Sequence, residues 1–166
     1  MIDPLVRPAT SGDVGPLRVL EAEARAGLIE ARGGTRWLQE HHLIGERWPT
    51  RLADDQVFVA VLDFGDGAPG LVVGYLVLEL SLPIATVDQV YVIPDARELG
   101  FGDALLEAAT AAALEAGAHV IEGFALPGDR NTKNLYERAG ITARLITVST
   151  ALAPVSVPTT AVDASR

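Results

Sequence analysis

Arg97-Glu98-Leu99-Gly100-Phe101-Gly102 is the stretch whose residue types and spacing can do the most specific chemistry, and that chemistry is anion binding. It follows a strand-like run, Val87 to Val92, and precedes an amphipathic run, Asp103 to Ala116. A strand that hands a glycine-rich turn to a helix N-terminus presents unpaired backbone N–H groups and the positive end of the helix dipole, which together bind phosphate oxygens. Gly100 and Gly102 have no Cβ, so a ligand can approach that backbone closely. Arg97 adds a planar, permanently charged donor fork suited to phosphate. Further on, Arg130, Lys133, Arg138 and Arg144 are set against Glu137 alone, so the region that would meet an anionic cofactor is locally basic although the chain carries a net charge of -9.

Other chemistries are excluded by composition. The chain has no cysteine, which removes disulfides, thiolate metal sites and a cysteine nucleophile. His41 and His42 are adjacent, so on a helix they point about 100° apart and cannot both face one metal. His119 has no ligand partner at useful spacing, and no metal site is expected. The acidic balance repels a nucleic-acid backbone and excludes that partner. The longest apolar runs, Leu71 to Leu78 and Ala108 to Leu114, fall far short of the ~20 residues of a membrane-spanning helix, so no membrane partner is expected. Met-Ile-Asp-Pro has neither the charged nor the apolar region of a signal peptide, which predicts a cytoplasmic protein.

The elements that position the turn follow from hydrophobic periodicity. The expected order is βααβββαβαβ, a mixed α/β sheet in a single domain over residues 1–152, with a loose tail over 153–166 that is rich in Pro, Ser, Thr and Ala. Leu5 to Pro8 is a short strand, and Thr10-Ser-Gly-Asp13 is a capping box that opens a helix with apolar Val14, Leu17, Leu20, Ala24 and Leu28. Gly33-Gly34 breaks it, and Thr35 to Trp48 is a second helix or lid that Pro49 ends. Gln56 to Leu62 and Leu71 to Leu80 are strands joined by a turn-rich link. Strand Thr86 to Val92, a helix after Gly102, strand Val120 to Ala125, a helix after Asp129 and strand Arg144 to Thr150 complete the order.

A second segment gives the glycine turn its meaning. Asp129-Arg-Asn131-Thr132-Lys133-Asn-Leu135-Tyr136-Glu-Arg-Ala-Gly140-Ile141 reads as an N-capped short helix closed by glycine. With Val92-Ile93-Pro94 and the turn ahead of it, the order and spacing resemble the Q/R-x-x-G-x-G/A and N-x-x-A-x-x-L-Y-x-x-x-G-F motifs of the GCN5-related N-acetyltransferases. The resemblance covers residues 87–141 as motifs and about 5–150 as a pattern of elements. It implies a GNAT-like acyl-CoA N-acyltransferase fold in which the fourth and fifth strands splay apart around the pantetheine arm, with acetyl-CoA as co-substrate. Val90, Tyr91 and Val92 would meet the pantetheine amides and polarise the thioester carbonyl, and Arg97 to Asp103 (Arg97, Glu98, Leu99, Gly100, Phe101, Gly102, Asp103) would hold the phosphates. Asn131 and Lys133 are further cofactor candidates, Asn131 compensating for Asp129, which stands where the family has an asparagine.

The resemblance also implies the reaction: direct transfer of acetyl to a primary amine of a small molecule or peptide, with no covalent enzyme intermediate. An amine with a pKa near ~10.4 must lose a proton before it attacks, so a carboxylate base is expected. Asp88 is the first candidate, with Glu122 and Glu79 as rivals. Tyr136 occupies the position from which the family's tyrosine protonates the departing thiolate. A homodimer is left open. Two other classes compete: a non-catalytic acyl-CoA-binding regulatory module, which would keep the turn and lack the chemistry, and a dinucleotide-binding domain. The latter fits poorly, because Leu105 stands where a third glycine belongs and eight positions separate Val92 from Gly100.

Overall fold

A computed structural model of the chain describes residues 4–65, 67, 69–150 and 152. Its strands are β1 (Leu5–Pro8), β2 (Gln56–Leu62), β3 (Leu71–Ser81), β4 (Ile84–Val92) and β5 (Val120–Gly123). Its helices are α1 (Val14–Leu28), α2 (Gly34–Glu40), α3 (Trp48–Asp54), α4 (Phe101–Glu115) and α5 (Arg130–Arg138). The strands form one sheet in the order β1-β2-β3-β4-β5, antiparallel throughout except for the parallel pair β4–β5. A sheet that is mostly antiparallel is not the doubly wound parallel sheet of a dinucleotide-binding domain. No helix among the described residues is long and apolar enough to cross a membrane.

Alternation along the strands sorts the core onto two faces. Phe58, Ala60, Leu76, Leu78, Ala85 and Val87 pack against Phe101, Leu105, Leu106 and Ala109 of α4 and Leu135 and Tyr136 of α5. On the opposite face Val57, Val59, Val61, Tyr75 and Val77 pack against Leu17 and Leu20 of α1 and Trp48 of α3. The ladder shifts register twice: Val73 is an extra residue in β3 between the pairs Ala60↔Gly74 and Val61↔Val72, and a second shift lies between β3 and β4. Val77 pairs with Gln89 but Leu78 pairs with Val87, so Asp88 is an extra residue in β4. Such a bulge twists the strand and re-aims a side chain.

Three expectations are corrected. The lid region is two helices rather than one, because the chain leaves helical geometry at His41 and re-enters at Trp48. Pro49 sits in the first turn of α3, where its missing N–H costs nothing, so it opens a helix rather than closing one. The expected strand Arg144 to Thr150 is not formed: residues 141–150 make no sheet ladder, and Leu145, Ile146 and Val148 are exposed. Among the described residues no strand pairs with them. The expected tail, 153–166, lies outside the described residues.

The entry to α1 is fixed by a buried carboxylate. Asp13 accepts from the Thr10 backbone N–H at 2.7 Å and from Arg7 Nη1 and Nη2 at 2.8 and 2.9 Å. Hydrogen bonding by Arg7 lowers its pKa from 3.8 to about 2, against the opposing effect of burial. The folded chain thus favours the ionised form. Its contribution, roughly 2 kcal/mol, is complete above the ordinary carboxylate pKa and is lost as pH falls through the folded value. Asp13→Asn is expected to lower stability by about 1–2 kcal/mol near neutral pH. Urea unfolding of the two proteins should show that difference shrinking as the pH falls toward 2 and vanishing below it.

Candidate active site

The site begins where the sheet comes apart. β4 and β5 pair from Ile84↔Val120 to Val87↔Gly123 and no further, so β4 from Asp88 to Val92 has β3 on one side and no strand on the other among the described residues. The Ile93 N–H donates to the Val73 carbonyl of β3 at 2.9 Å. Alternation along an antiparallel ladder then turns the Tyr91 N–H toward β3 and the Val90 and Val92 N–H groups toward the gap. Of the strand residues expected to contact a ligand through the backbone, Val90 and Val92 have their donors free to do so. Tyr91 contributes its ring instead, with the Arg97 guanidinium 5.7 Å from the ring centre. Arg97 Nε donates to the Val92 carbonyl at 3.0 Å, which ties the glycine turn to the strand end.

Below the gap, Pro94–Leu99 forms a 3₁₀ turn with Arg97, Glu98 and Leu99 exposed. Gly100 then takes φ 85°, a left-handed conformation that favours glycine, and caps α4. The first bond inside the helix runs from the Ala104 N–H to the Gly100 carbonyl at 3.0 Å, so the N–H groups of Phe101, Gly102 and Asp103 are left for an anion. Side chains here serve packing. Phe101 is buried in the core, and a Cβ on Gly102 would lie 3.0 Å from Leu135 Cδ1. The second glycine therefore also lets α4 and α5 pack closely, since a Cβ there would press on Leu135. Asp103 accepts from Arg138 Nε at 3.0 Å, which sets a cation beside the turn.

The remaining cofactor candidates lie toward the other end of α5. Lys133 pairs with Glu137 at 2.8 Å and, with Arg32 and Arg130, borders a surface cleft of about 620 Å³ between the α1–α2 loop and α5. Asn131 is exposed in the first turn of α5, where Asp129 accepts from the Thr132 N–H at 3.1 Å. Asp129 is thus a helix cap.

Tyr136 reaches from α5 to the point where the strands part. A Cβ built on Gly123 would collide with its hydroxyl, so the phenol lies directly over the last paired residue of β5. Burial pushes its pKa well above the ordinary value, opposed by a backbone hydrogen bond from Phe124, with Asp129 and Asp88 adding to the rise. The phenol stays protonated and available as a donor. Gly123→Ala is expected to displace the ring, destabilising the chain by about 1–3 kcal/mol, the range for an overpacked core. Comparing thermal unfolding of Gly123→Ala with Gly15→Ala, where the backbone is outside the left-handed region and a Cβ meets nothing within 4 Å, separates this collision from loss of glycine itself.

The opposite face of the gap is charged. Arg51 of α3 donates to Asp88 Oδ2 at 2.7 Å and Glu79 Oε1 at 2.9 Å, and its Nε lies 2.9 Å from Asp55 Oδ2. That last contact is an ion pair without a directed hydrogen bond. Burial disfavours the Arg51 charge, but Glu79, Asp55 and Asp88 outweigh it and raise its pKa. Burial first, and the nearby Glu79 carboxylate with it, raise the pKa of Asp88 against the lowering by Arg51 and His41. Asp88 and Glu79 thus meet at one cation, whereas Glu122, in register with Thr86, makes no ion pair among the described residues. Above them Trp37 stacks on His41, with ring centres 3.5 Å apart, and meets Phe124 at 5.4 Å. The α2–α3 connection is held by α1. Glu21, fully buried, accepts from Ile44 N, Gly45 N and Trp48 Nε1 at 2.6, 3.0 and 3.0 Å. Arg25 donates to the carbonyls of His41 and Leu38 at 2.7 and 3.2 Å. Glu21 and Arg25 carry no local sequence signal, since their partners lie more than ten residues away in the chain, and the same holds for Arg51 with Glu79 and Asp88 and for Trp37 with Phe124; only the i,i+4 pairs Arg51–Asp55 and Trp37–His41 are local.

Comparison with known proteins agrees with this geometry. The family model described as "Acetyltransferase (GNAT) domain" matches residues 53–140, just over half of the chain. No curated protein matches. Among solved structures, a mutant of the BH1408 protein from Bacillus halodurans superposes with a TM-score of 0.73 at 19% identity over 90% of this chain and 99% of that one. Ribosomal-protein-alanine N-acetyltransferase from Brucella melitensis biovar Abortus 2308 gives 0.63 at 19% identity over 91% and 99%. Aminoglycoside N-acetyltransferase AAC(6')-Iy in complex with CoA gives 0.61 at 17% over 92% and 97%.

Proposed function

The chain belongs to the GNAT acetyltransferase family, and from that premise we propose that it is an acetyl-CoA-dependent N-acetyltransferase that passes acetyl directly to a primary amine of a small molecule or peptide. The observation that carries the reading is the open gap beside β4, which has backbone donors on one wall, a helix N-terminus at its end and a protonated phenol at its mouth. A similar fold in complex with CoA, and similar folds whose acceptors are an aminoglycoside and a ribosomal-protein alanine, support both the cofactor and the amine. A cytoplasmic location belongs to the same reading.

In this mechanism the phosphates rest on the N–H groups of Phe101, Gly102 and Asp103, with Arg97 and Arg138 as flanking cations. The acceptor enters from the α2–α3 face and gives up a proton to Asp88, directly or through water, and the free amine attacks the thioester carbonyl carbon. The oxygen that becomes negative is met by a β4 N–H group, Val90 or Val92, an interaction worth on the order of 3 kcal/mol. The C–S bond then breaks, the thiolate takes a proton from Tyr136 on the α5 face, and the second proton leaving the attacking nitrogen passes through water to restore the phenol. A carboxylate with a raised pKa accepts a proton better than one at its ordinary value, which suits Asp88 to the role of base.

Calorimetry should detect acetyl-CoA binding, and free CoA should appear when a panel of amines, amino acids and N-terminal peptides is added. Absence of binding would end the reading. Tyr136→Phe is expected to reduce turnover by roughly ten- to a thousand-fold while leaving acetyl-CoA affinity nearly intact; unchanged turnover with chemistry rate-limiting would leave Tyr136 as a packing residue.

Asp88→Asn should lower kcat/KM by about a hundred-fold near neutral pH, and the loss should narrow toward pH 10 as the acceptor deprotonates without help. A loss that stays constant across the pH range would assign Asp88 to structure alone.

A further inference from the structure

The cleft between the α1–α2 loop and α5 runs against the charge of the chain. The net charge is -9, yet the residues lining this cleft include three cations, Arg32, Arg130 and Lys133, against one carboxylate, Glu30. Lys133 is paired with Glu137. Arg32 and Arg130 are exposed, and among the described residues their side chains make no ion pair or hydrogen bond. Two guanidinium groups gathered in one cleft repel each other until an anion enters, and their planar donor forks match a carboxylate. The cleft lies apart from the glycine turn. Arg138 reaches that turn through Asp103, whereas Arg130, Lys133 and Asn134 lie on the face of α5 opposite buried Leu135 and Tyr136. The same two chain segments line the cleft and the acceptor side of the gap. Five residues after Arg32, Trp37 meets Phe124, and four residues after Phe124 the chain reaches Gly128 in the cleft wall.

We propose that this cleft is an acceptor subsite, and that the acceptor is a peptide whose N-terminal amine reaches Asp88 while an acidic side chain near its third residue is held by Arg32 and Arg130. The inference rests on the reaction proposed above and selects among its acceptors. Spacing makes the selection. Arg130 precedes Tyr136 by six residues, about 9 Å along the helix axis, and the two side chains leave α5 on different sides, so amine and anion are held roughly 10 Å or more apart. The carboxylate of a free amino acid lies within one residue of its amine, about 3.5 Å, and falls short. Three extended residues span about 10 Å, and an acidic side chain covers the remainder. A polycationic amine would meet repulsion at Arg32 and Arg130, so the cleft also discriminates by sign of charge.

The test uses the full chain and short neutral peptides, amidated at the C-terminus, that carry Glu, Gln or Lys at the third position. Release of free CoA should give a kcat/KM about tenfold higher for Glu than for Gln, and lower still for Lys. Arg32→Glu combined with Arg130→Glu, both at exposed positions, should reverse that order while the melting curve and the calorimetric affinity for acetyl-CoA stay unchanged. Equal rates for Glu and Gln, or an order that the double variant keeps, would overturn the inference. So would a loss of acetyl-CoA affinity in the double variant, which would assign the cleft to the cofactor's phosphates. If other amines are acetylated and none of these peptides is, the inference falls and the proposed reaction stands. Titrating the peptides into the protein with CoA present keeps the two apart in the other direction. The Glu peptide should bind about tenfold more tightly than the Gln peptide, and lose that advantage in the double variant, whether or not acetyl transfer follows; equal binding overturns the inference by itself.

Discussion

Pairing between β4 and β5 stops at Val87↔Gly123, and the site is a consequence of that stop. Backbone N–H groups inside a protein are almost always paired, because an unpaired one costs roughly as much as a lost hydrogen bond. The Val90 and Val92 donors are spared that cost only if water or a ligand enters the gap. Two local features hold the strands apart. The bulge at Asp88 breaks the regular course of β4, and the Tyr136 hydroxyl occupies the space over Gly123 at the same level.

The sheet then divides the chemistry between its faces. Asp88 and Glu79 belong to the face covered by α1 and α3, Tyr136 to the face covered by α4 and α5, and only at the gap do the two meet. A base and an acid placed on opposite sides of a thin wall cannot neutralise each other by forming a direct pair. Arg51 supplies a second separation. By binding both carboxylates it keeps them in place and moderates the effect of burial on Asp88.

The strands and the phosphate turn were legible from the sequence because they depend on local rules. Gln56–Leu62 has the run of branched and apolar residues of a buried strand, and Gly100 is followed by an amphipathic run. Tyr136 and Asp88 could be named because a motif and a strand position pointed to them. What could not be read depends on contacts distant in sequence. The Asp88 bulge is a mismatch between two strands, Arg51 reaches Glu79 and Asp88 from another element, and the role of Gly102 against Leu135 is visible only once α4 and α5 are packed. Arg144 to Thr150 shows the converse. Its residues have the composition of a strand, but a strand also needs a neighbour, and within the described residues there is none.

The grip of Glu21 has a consequence for how the acceptor side of this protein can diversify. Two of its three donors are the backbone N–H groups of Ile44 and Gly45, and every residue type except proline supplies such a group. Only Trp48 contributes through its side chain. Substitutions at positions 41–43 and 46 can therefore reshape the α2–α3 connection, with buried Ile44 and left-handed Gly45 kept as they are, while the carboxylate keeps its partners and α3 keeps its place. The lid is free to vary in what it recognises because it is fastened by what all residues share.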